Sequence, residues 1–190
     1  MKNVLKMIVS GVFLVLAWPL AAISLFGRIS PIYLSGAHMV ALGPGLLGDY
    51  LRGAYYRLTL ESCSLQSRIS FGVIFAHPQA SVGPHVYIGP YCVLGRTRIG
   101  AHTQIASLAQ ILSGAKQHER GEDGSLSTAK LEQFEVVTIG AHCWIGAAAI
   151  VMAPVGAETT IGAGAVVTRE IPARVIAVGN PARVLRSIDL

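Results

Sequence analysis

Residues 80–112 read ASVGPHVYIGPYCVLGRTRIGAHTQIASLAQIL, and residues 137–167 read VTIGAHCWIGAAAIVMAPVGAETTIGAGAVV. An aliphatic residue recurs at every sixth position in both. The first stretch carries Val82, Ile88 and Leu94, then Ile99, Ile105 and Ile111 after a five-residue step. The second carries Ile139, Ile145 and Val151, then Val155, Ile161 and Val167 after a four-residue step. Most are followed by glycine, as at Gly83, Gly89, Gly100, Gly140, Gly146 and Gly162. Two positions before them stand small or modest residues such as Ala80, Cys92, Thr103, Cys143 and Ala165.

Residues two apart on a strand face the same side, so the aliphatic residue and its small predecessor both point inward. The following glycine suits a tight corner, where a side chain would crowd or a positive φ is needed. One short strand plus one bend, repeated, winds the chain into a solenoid with a continuous core. A sandwich needs no corner every six residues. The spacing therefore predicts a mainly β solenoid over residues 69–179.

The beat breaks at Ser113 and stays broken to Glu135, in the polar segment SGAKQHERGEDGSLSTAKLEQFE. An excursion of this length between two solenoid halves is functional or disordered. His118 lies within it, flanked by Gln117, Glu119 and Arg120, away from any apolar inward position. A loop histidine with an ordinary pKa near 6.5 is suited to act as a general base, and equally to be a solvated surface residue. His85, His102 and His142 each stand three residues after a repeat aliphatic. Their shared register argues for structure, or for the wall of a cleft. No His pair lies five apart and no carboxylate or Cys cluster completes a zinc site, so no metal is expected.

The front of the chain is different in kind. Met7 to Gly27 carries no charge over 21 residues, after Lys2 and Lys6 and before Arg28. As a helix it reaches about 30 Å, one bilayer core, and Pro19 predicts a kink in it. A signal peptide with Ala21-Ala22 as cleavage site is the weaker reading. Residues 1–28 are thus expected to anchor the chain in a membrane, and residues 29–68 to form an interfacial, juxtamembrane helical segment. Ile29 to Gly48 is broken by Pro31, Gly36, Gly43, Pro44 and Gly45, which suits a re-entrant or interfacial course better than a second span. From Asp49 to Leu60, Tyr50, Tyr55, Tyr56, Arg52 and Arg57 suit rings at headgroup depth with cations toward lipid phosphate. A helix capping the first solenoid coil fits the same residues equally well.

Hydrophobic residues make up 52% of the 190, mean hydropathy is +0.55 and net charge is +5. The cations are scattered, with no block of the kind that grips nucleic acid, so a membrane surface or an anionic small molecule is the expected partner. Cys63, Cys92 and Cys143 form no CxxC and leave one unpaired. Cys92 and Cys143 fall on the small inward position and read as buried reduced thiols, which favours a reducing compartment.

The hexapeptide beat, the excursion with SGAKQH, the resumption VTIGAHCWIG and the closing IGAGAVVTREIP and GNPARVLR resemble the hexapeptide-repeat acyltransferases. The resemblance is to the branch of galactoside, maltose and nodulation-factor O-acetyltransferases and covers about residues 80 to 188. It implies a left-handed parallel β-helix, an exception to the usual right-handed crossover, assembled as a homotrimer with acetyl-CoA in clefts between subunits. By position it implies that His118 deprotonates the acceptor hydroxyl and that Trp144 lines the substrate cleft. Ala147 and Ala163 match positions whose backbone meets the pantetheine arm of CoA. Thr168 and Arg169 match a Thr-Lys pair near the CoA phosphates, with Arg in place of Lys. Arg183 and Arg186, in the tail 180–190, match basic residues near the adenosine phosphate.

The sequence departs from that branch in having no Asn in the first solenoid half to match the acceptor-binding one, and in its hydrophobic front. What the resemblance and the front together imply is an O-acetyltransferase at the cytoplasmic face of a membrane. Its acceptor would be a sugar hydroxyl of a polysaccharide or lipid-linked saccharide, and other biosynthetic membrane proteins are possible partners. N-acylation of an amino-sugar nucleotide, or a non-catalytic membrane-anchored solenoid scaffold, are the competing readings.

Overall fold

The computed structural model describes residues 2–114, 122–126 and 134–188. Three helices lead: α1 (Lys2–Ile23), α2 (Ser30–Ala41) and α3 (Gly45–Thr59). A parallel solenoid follows. Its first coil is β1 (Ser62–Cys63), β2 (Arg68–Ile69) and β3 (Ile74–Phe75), and its second is β4 (Ser81–Val82), β5 (Tyr87–Ile88) and β6 (Val93–Leu94). The third is β7 (Thr97–Ile99), β8 (Gln104–Ile105) and β9 (Gln110–Ile111). After the excursion come β10 (Val137–Ile139), β11 (Trp144–Ile145) and β12 (Ile150–Val151). The fifth coil is a bridge at Val155, then β13 (Thr160–Ile161) and β14 (Val166–Val167). A sixth begins with a bridge at Ile171 and β15 (Val175–Val178), on which β16 (Arg183–Ser187) folds back antiparallel.

The strands stack into three sheets, so the cross-section is a triangle. The first sheet is β1-β4-β7-β10, the second β2-β5-β8-β11-β13-β15-β16, and the third β3-β6-β9-β12-β14. The six-residue beat is the register itself: Ile88, Ile105, Ile145 and Ile161 lie opposite one another on the second sheet, and Leu94, Ile111, Val151 and Val167 on the third. All eight are buried. The five- and four-residue steps, and the excursion, all fall at one corner, between the third sheet and the first.

Inward polar residues close the coils onto each other. Thr103 Oγ1 donates to the Gly140 carbonyl (2.7 Å), Cys143 Sγ to that of Gly156 (3.1 Å) and Thr159 Oγ1 to that of Pro172 (2.9 Å). All three cysteines are buried free thiols, and burial pushes Cys92 up to about 11 and Cys63 up to about 12. They are packing residues, as expected for Cys92 and Cys143.

The corner glycines divide the expected roles. None of the glycines directly after the beat has positive φ. They are there for close approach: a Cβ on Gly83 would stand 2.9 Å from Ala101 N, and one on Gly100 2.5 Å from Ala141 N. The left-handed residue comes two positions later and is usually not glycine. His85, His102, His142, Glu158 and Arg174 hold φ near 60° at one corner, and Tyr91, Leu108 and Ala148 at the next. Hydrogen bonds between coils secure all but His85, since each of the other N–H groups donates to the preceding coil, as His142 N does to Ala101 O (2.9 Å) and Leu108 N to Pro90 O (2.9 Å).

The solenoid begins earlier than the expected residue 69. Cys63 pairs with Val82 in the first sheet and is buried like the aliphatic residues after it. The leading helices close the open end of this first coil. Tyr33, Tyr55 and Tyr56 are fully buried, and their hydroxyls donate to the carbonyls of Phe75, Tyr33 and Val73. Tyr55 and Tyr56 therefore do not lie at headgroup depth as the interfacial reading required, and Arg52 is buried with them. A phenol can enter a core once a carbonyl satisfies its O–H. The capping reading of α3 is the observed one. α1 continues through Pro19 to Ile23. Among the described residues no helix is long and apolar enough to cross a membrane.

Candidate functional site

The corner between the third and first sheets is built to hold an excursion. Glu135 N donates to Ser113 O (3.0 Å), so the segment leaves and re-enters at adjacent points. Arg96, at the same corner one coil earlier, donates Nη1 to Phe134 O (3.0 Å), and its N–H donates to Ser113 Oγ (2.8 Å). The Phe134 ring lies 4.9 Å from that of His77. Burial first, and then the Arg96 charge, hold His77 below its ordinary pKa. His118 lies outside the described residues. Thr168 and Arg169 follow β14 at this corner, two coils beyond the excursion, and both are exposed.

The other predicted residues lie elsewhere. Trp144 projects outward from β11, 50% exposed, between Gln104 and Thr160 on the second sheet. Ala147 and Ala163 follow at the corner between the second and third sheets, one coil apart and exposed, with Gly164 N donating to Ala147 O (2.8 Å). Among the described residues the N–H groups of Ala147 and Ala163 donate to no backbone carbonyl. Ala141 and Ala157 repeat this at the neighbouring corner, so such amides belong to the repeat itself. Arg183 and Arg186 stand exposed on β16, and neither forms an ion pair among the described residues.

Within one chain the predicted residues thus form two groups. Trp144, Ala147, Ala163, Arg183 and Arg186 lie on the second sheet and its far corner. Thr168 and Arg169 lie at the corner between the third and first sheets.

The histidines that share a register form a stack. The His85 and His102 rings are 4.8 Å apart and those of His102 and His142 4.9 Å, nearly parallel. The next two residues in the column, Glu158 and Arg174, form an ion pair (2.9 Å). Face-to-face imidazoles point their nitrogens outward rather than at a common centre. Among the described residues no three His, Cys, Asp or Glu side chains converge as a metal site.

What the sequence reading missed lies under α1. Arg52 donates Nε to Ile69 O (3.0 Å), Nη1 to Gly43 O (2.6 Å) and Val40 O (3.1 Å), and Nη2 to Asp49 Oδ1. Asp49 Oδ2 accepts from Arg68 Nε (2.8 Å). One clue was available, since an Asp three residues before an Arg on a helix is the spacing of an ion pair.

The fold and its corners define a parallel β-solenoid of hexapeptide repeats. No protein-family profile matches the sequence, and no curated protein matches it either. Among solved structures the chain is similar to a maltose O-acetyltransferase from Clostridium difficile 630, with TM-score 0.68 and 22% identity over 90% of this chain and 91% of that one. It is similar also to a galactoside acetyltransferase in complex with coenzyme A (TM-score 0.65, 18% identity, 84% and 82% covered). A hexapeptide-repeat containing acetyltransferase from Vibrio cholerae gives 0.62 at 19% identity, with 84% and 93% covered. What is shared at these identities is the fold.

Proposed function

We propose that this protein is a membrane-associated, acetyl-CoA-dependent O-acetyltransferase whose acceptor is a sugar hydroxyl of a polysaccharide or lipid-linked saccharide. The observation that carries the proposal is the clamped excursion at a solenoid corner, in a fold similar to that of two sugar acetyltransferases. His118, in that excursion, takes the acceptor proton as the hydroxyl oxygen bonds to the thioester carbonyl. The C–S bond then breaks, and the proton passes to the CoA thiolate. A backbone N–H meets the developing oxyanion. Trp144 walls the acceptor cleft. Ala147 and Ala163 offer small side chains and open amides to the pantetheine arm, while Thr168, Arg169, Arg183 and Arg186 meet the phosphates. The chain acts as a homotrimer, in which a subunit boundary completes the cleft from the two groups of candidate residues. The exposed apolar side chains of α1, among them Val12, Val15, Leu16 and Trp18, hold it to the cytoplasmic face of a membrane.

The test is titration of acetyl-CoA, desulfo-CoA and free CoA into detergent-purified wild type and Arg183→Ala. Saturable binding that the substitution weakens supports the donor site, and no binding by a folded trimer overturns it. With His118→Ala, donor binding persists while turnover falls by about 10²–10⁴, the usual worth of a general base. Preference for an amino-sugar nucleotide over a sugar hydroxyl would replace this reading with N-acylation.

A further inference from the structure

Two adjoining depressions of about 190 and 580 Å³ lie between α1, α3 and the first two coils, sharing Ser10 and Leu65 as walls. The smaller holds Asp49 and Arg68, and the larger runs from Met7 and Gly11 to His85. Across the two, charge and exposed apolar surface meet in a concavity, and neither is lined by Trp144, Ala147, Ala163, Thr168, Arg169, Arg183 or Arg186.

The charge count is unequal. The Asp49 carboxylate spends one oxygen on Arg52 and the other on Arg68. Arg52 is fully buried and otherwise bonded to carbonyls, so the cluster carries one net positive charge. That charge reaches solvent through Arg68, whose side chain is 64% exposed and whose Nη atoms make no hydrogen bond to the described residues. A guanidinium held at Nε, with its Nη atoms free, presents a fork that suits phosphate. The cleft's lip is apolar: Met7 is 74% exposed and Leu46 65%. Beyond it the exposed face of α1 continues through Ile8, Val12 and Val15. A free anion has no use for that wall, and an uncharged lipid has none for the fork.

We infer that this cleft binds the phosphate headgroup of an anionic amphiphile, with Arg68 on the phosphate and the tail along Met7, Leu46 and the outer face of α1. The site does not depend on the acetyl-transfer reading, and a protein that never binds CoA still has it.

The full-length protein is titrated with four probes: short-chain phosphatidic acid below its micelle concentration, inorganic phosphate, the matching neutral diacylglycerol, and vesicles with or without phosphatidic acid. Wild type binds the short phosphatidic acid and the vesicles that contain it, and binds phosphate and diacylglycerol far more weakly. Arg68→Ala weakens the amphiphile by about tenfold to a hundredfold, the worth of a charge-assisted hydrogen bond. Gly11→Trp does so by filling the cleft, since a Cβ on Gly11 meets nothing within 4 Å, and its thermal melt shows that it is folded. Arg28→Ala, an exposed cation outside the cleft, binds like wild type. Equal binding of phosphate or of diacylglycerol overturns the amphiphile, and equal losses in Arg28→Ala and Arg68→Ala reduce the effect to general surface charge. Undiminished binding by Gly11→Trp removes it from the cleft.

Discussion

Trp144 and Arg186 share one line of register across four strands: Trp144 lies opposite Thr160, Thr160 opposite Ile176, and Ile176 opposite Arg186. At the spacing of neighbouring strands this is about 14 Å along one face. An extended donor with its reactive end near Trp144 can therefore place an anionic end on Arg186. We predict that Arg186→Ala weakens CoA about tenfold to a hundredfold, and weakens 3′-dephospho-CoA much less. Equal losses for the two ligands in calorimetric titration would detach Arg186 from that phosphate.

The corner glycines allow a stability test that separates crowding from backbone conformation. In Gly100→Ala the new Cβ lands 2.5 Å from Ala141 N, in the backbone of the next coil, which cannot rotate away. Overpacking of this kind costs about 1–3 kcal/mol. Gly164 has φ +66° with nothing within 4 Å, at the corner position where Leu108 and Ala148 already hold such angles. Gly164→Asn should cost less than about 1 kcal/mol, because Asn tolerates that region. Urea melts that rank the two the other way would refute the division of roles.

The register of the solenoid was legible because one physical requirement, an inward aliphatic residue per strand, repeats from Val82 to Val167. The irregular steps looked like noise in one dimension, and in three they mark a single corner. The coil at Ser62–Ile69 was not legible, since Cys63 replaces an aliphatic residue and no glycine follows it. The amphipathic residues Tyr55, Tyr56 and Arg52 carry no label for which polar surface they serve. Lipid headgroups and the carbonyls at a solenoid's open end satisfy them equally, and only the fold brings Tyr33 O, Val73 O and Ile69 O within reach. The candidate site was legible only as positions on a repeat. Its division between two corners depends on coil geometry that spacing alone does not encode.

Arg52 holds the helical cap to the first coil. Removing its guanidinium leaves the carbonyls of Ile69, Val40 and Gly43 without this donor and leaves Asp49 with Arg68 alone. Arg52→Met is expected to destabilise the protein by about 3–5 kcal/mol, the usual cost of breaking a buried pair. Arg68→Ala, on the exposed side of the same carboxylate, should cost at most about 1 kcal/mol. Chemical denaturation of both variants checks the contrast, and comparable losses would mean that Arg52 is not what ties the cap down.

His77 gives the corner of the excursion a pH dependence with a definite sign. Burial and Arg96 lower its pKa in the folded protein from an ordinary value of 6.5. The unfolded chain therefore takes up the proton first, and stability rises with pH wherever it does so. The contribution is fully present above about pH 6.5, falls as the solution is acidified through that value, and levels off below the depressed folded pKa. Thermal midpoints should therefore drop between pH 7.5 and 5.5 in the wild type. His77→Phe keeps a ring against Phe134 while removing the titration, so its midpoint should change less over the same range. Parallel curves for the two proteins would assign the acid sensitivity to another group.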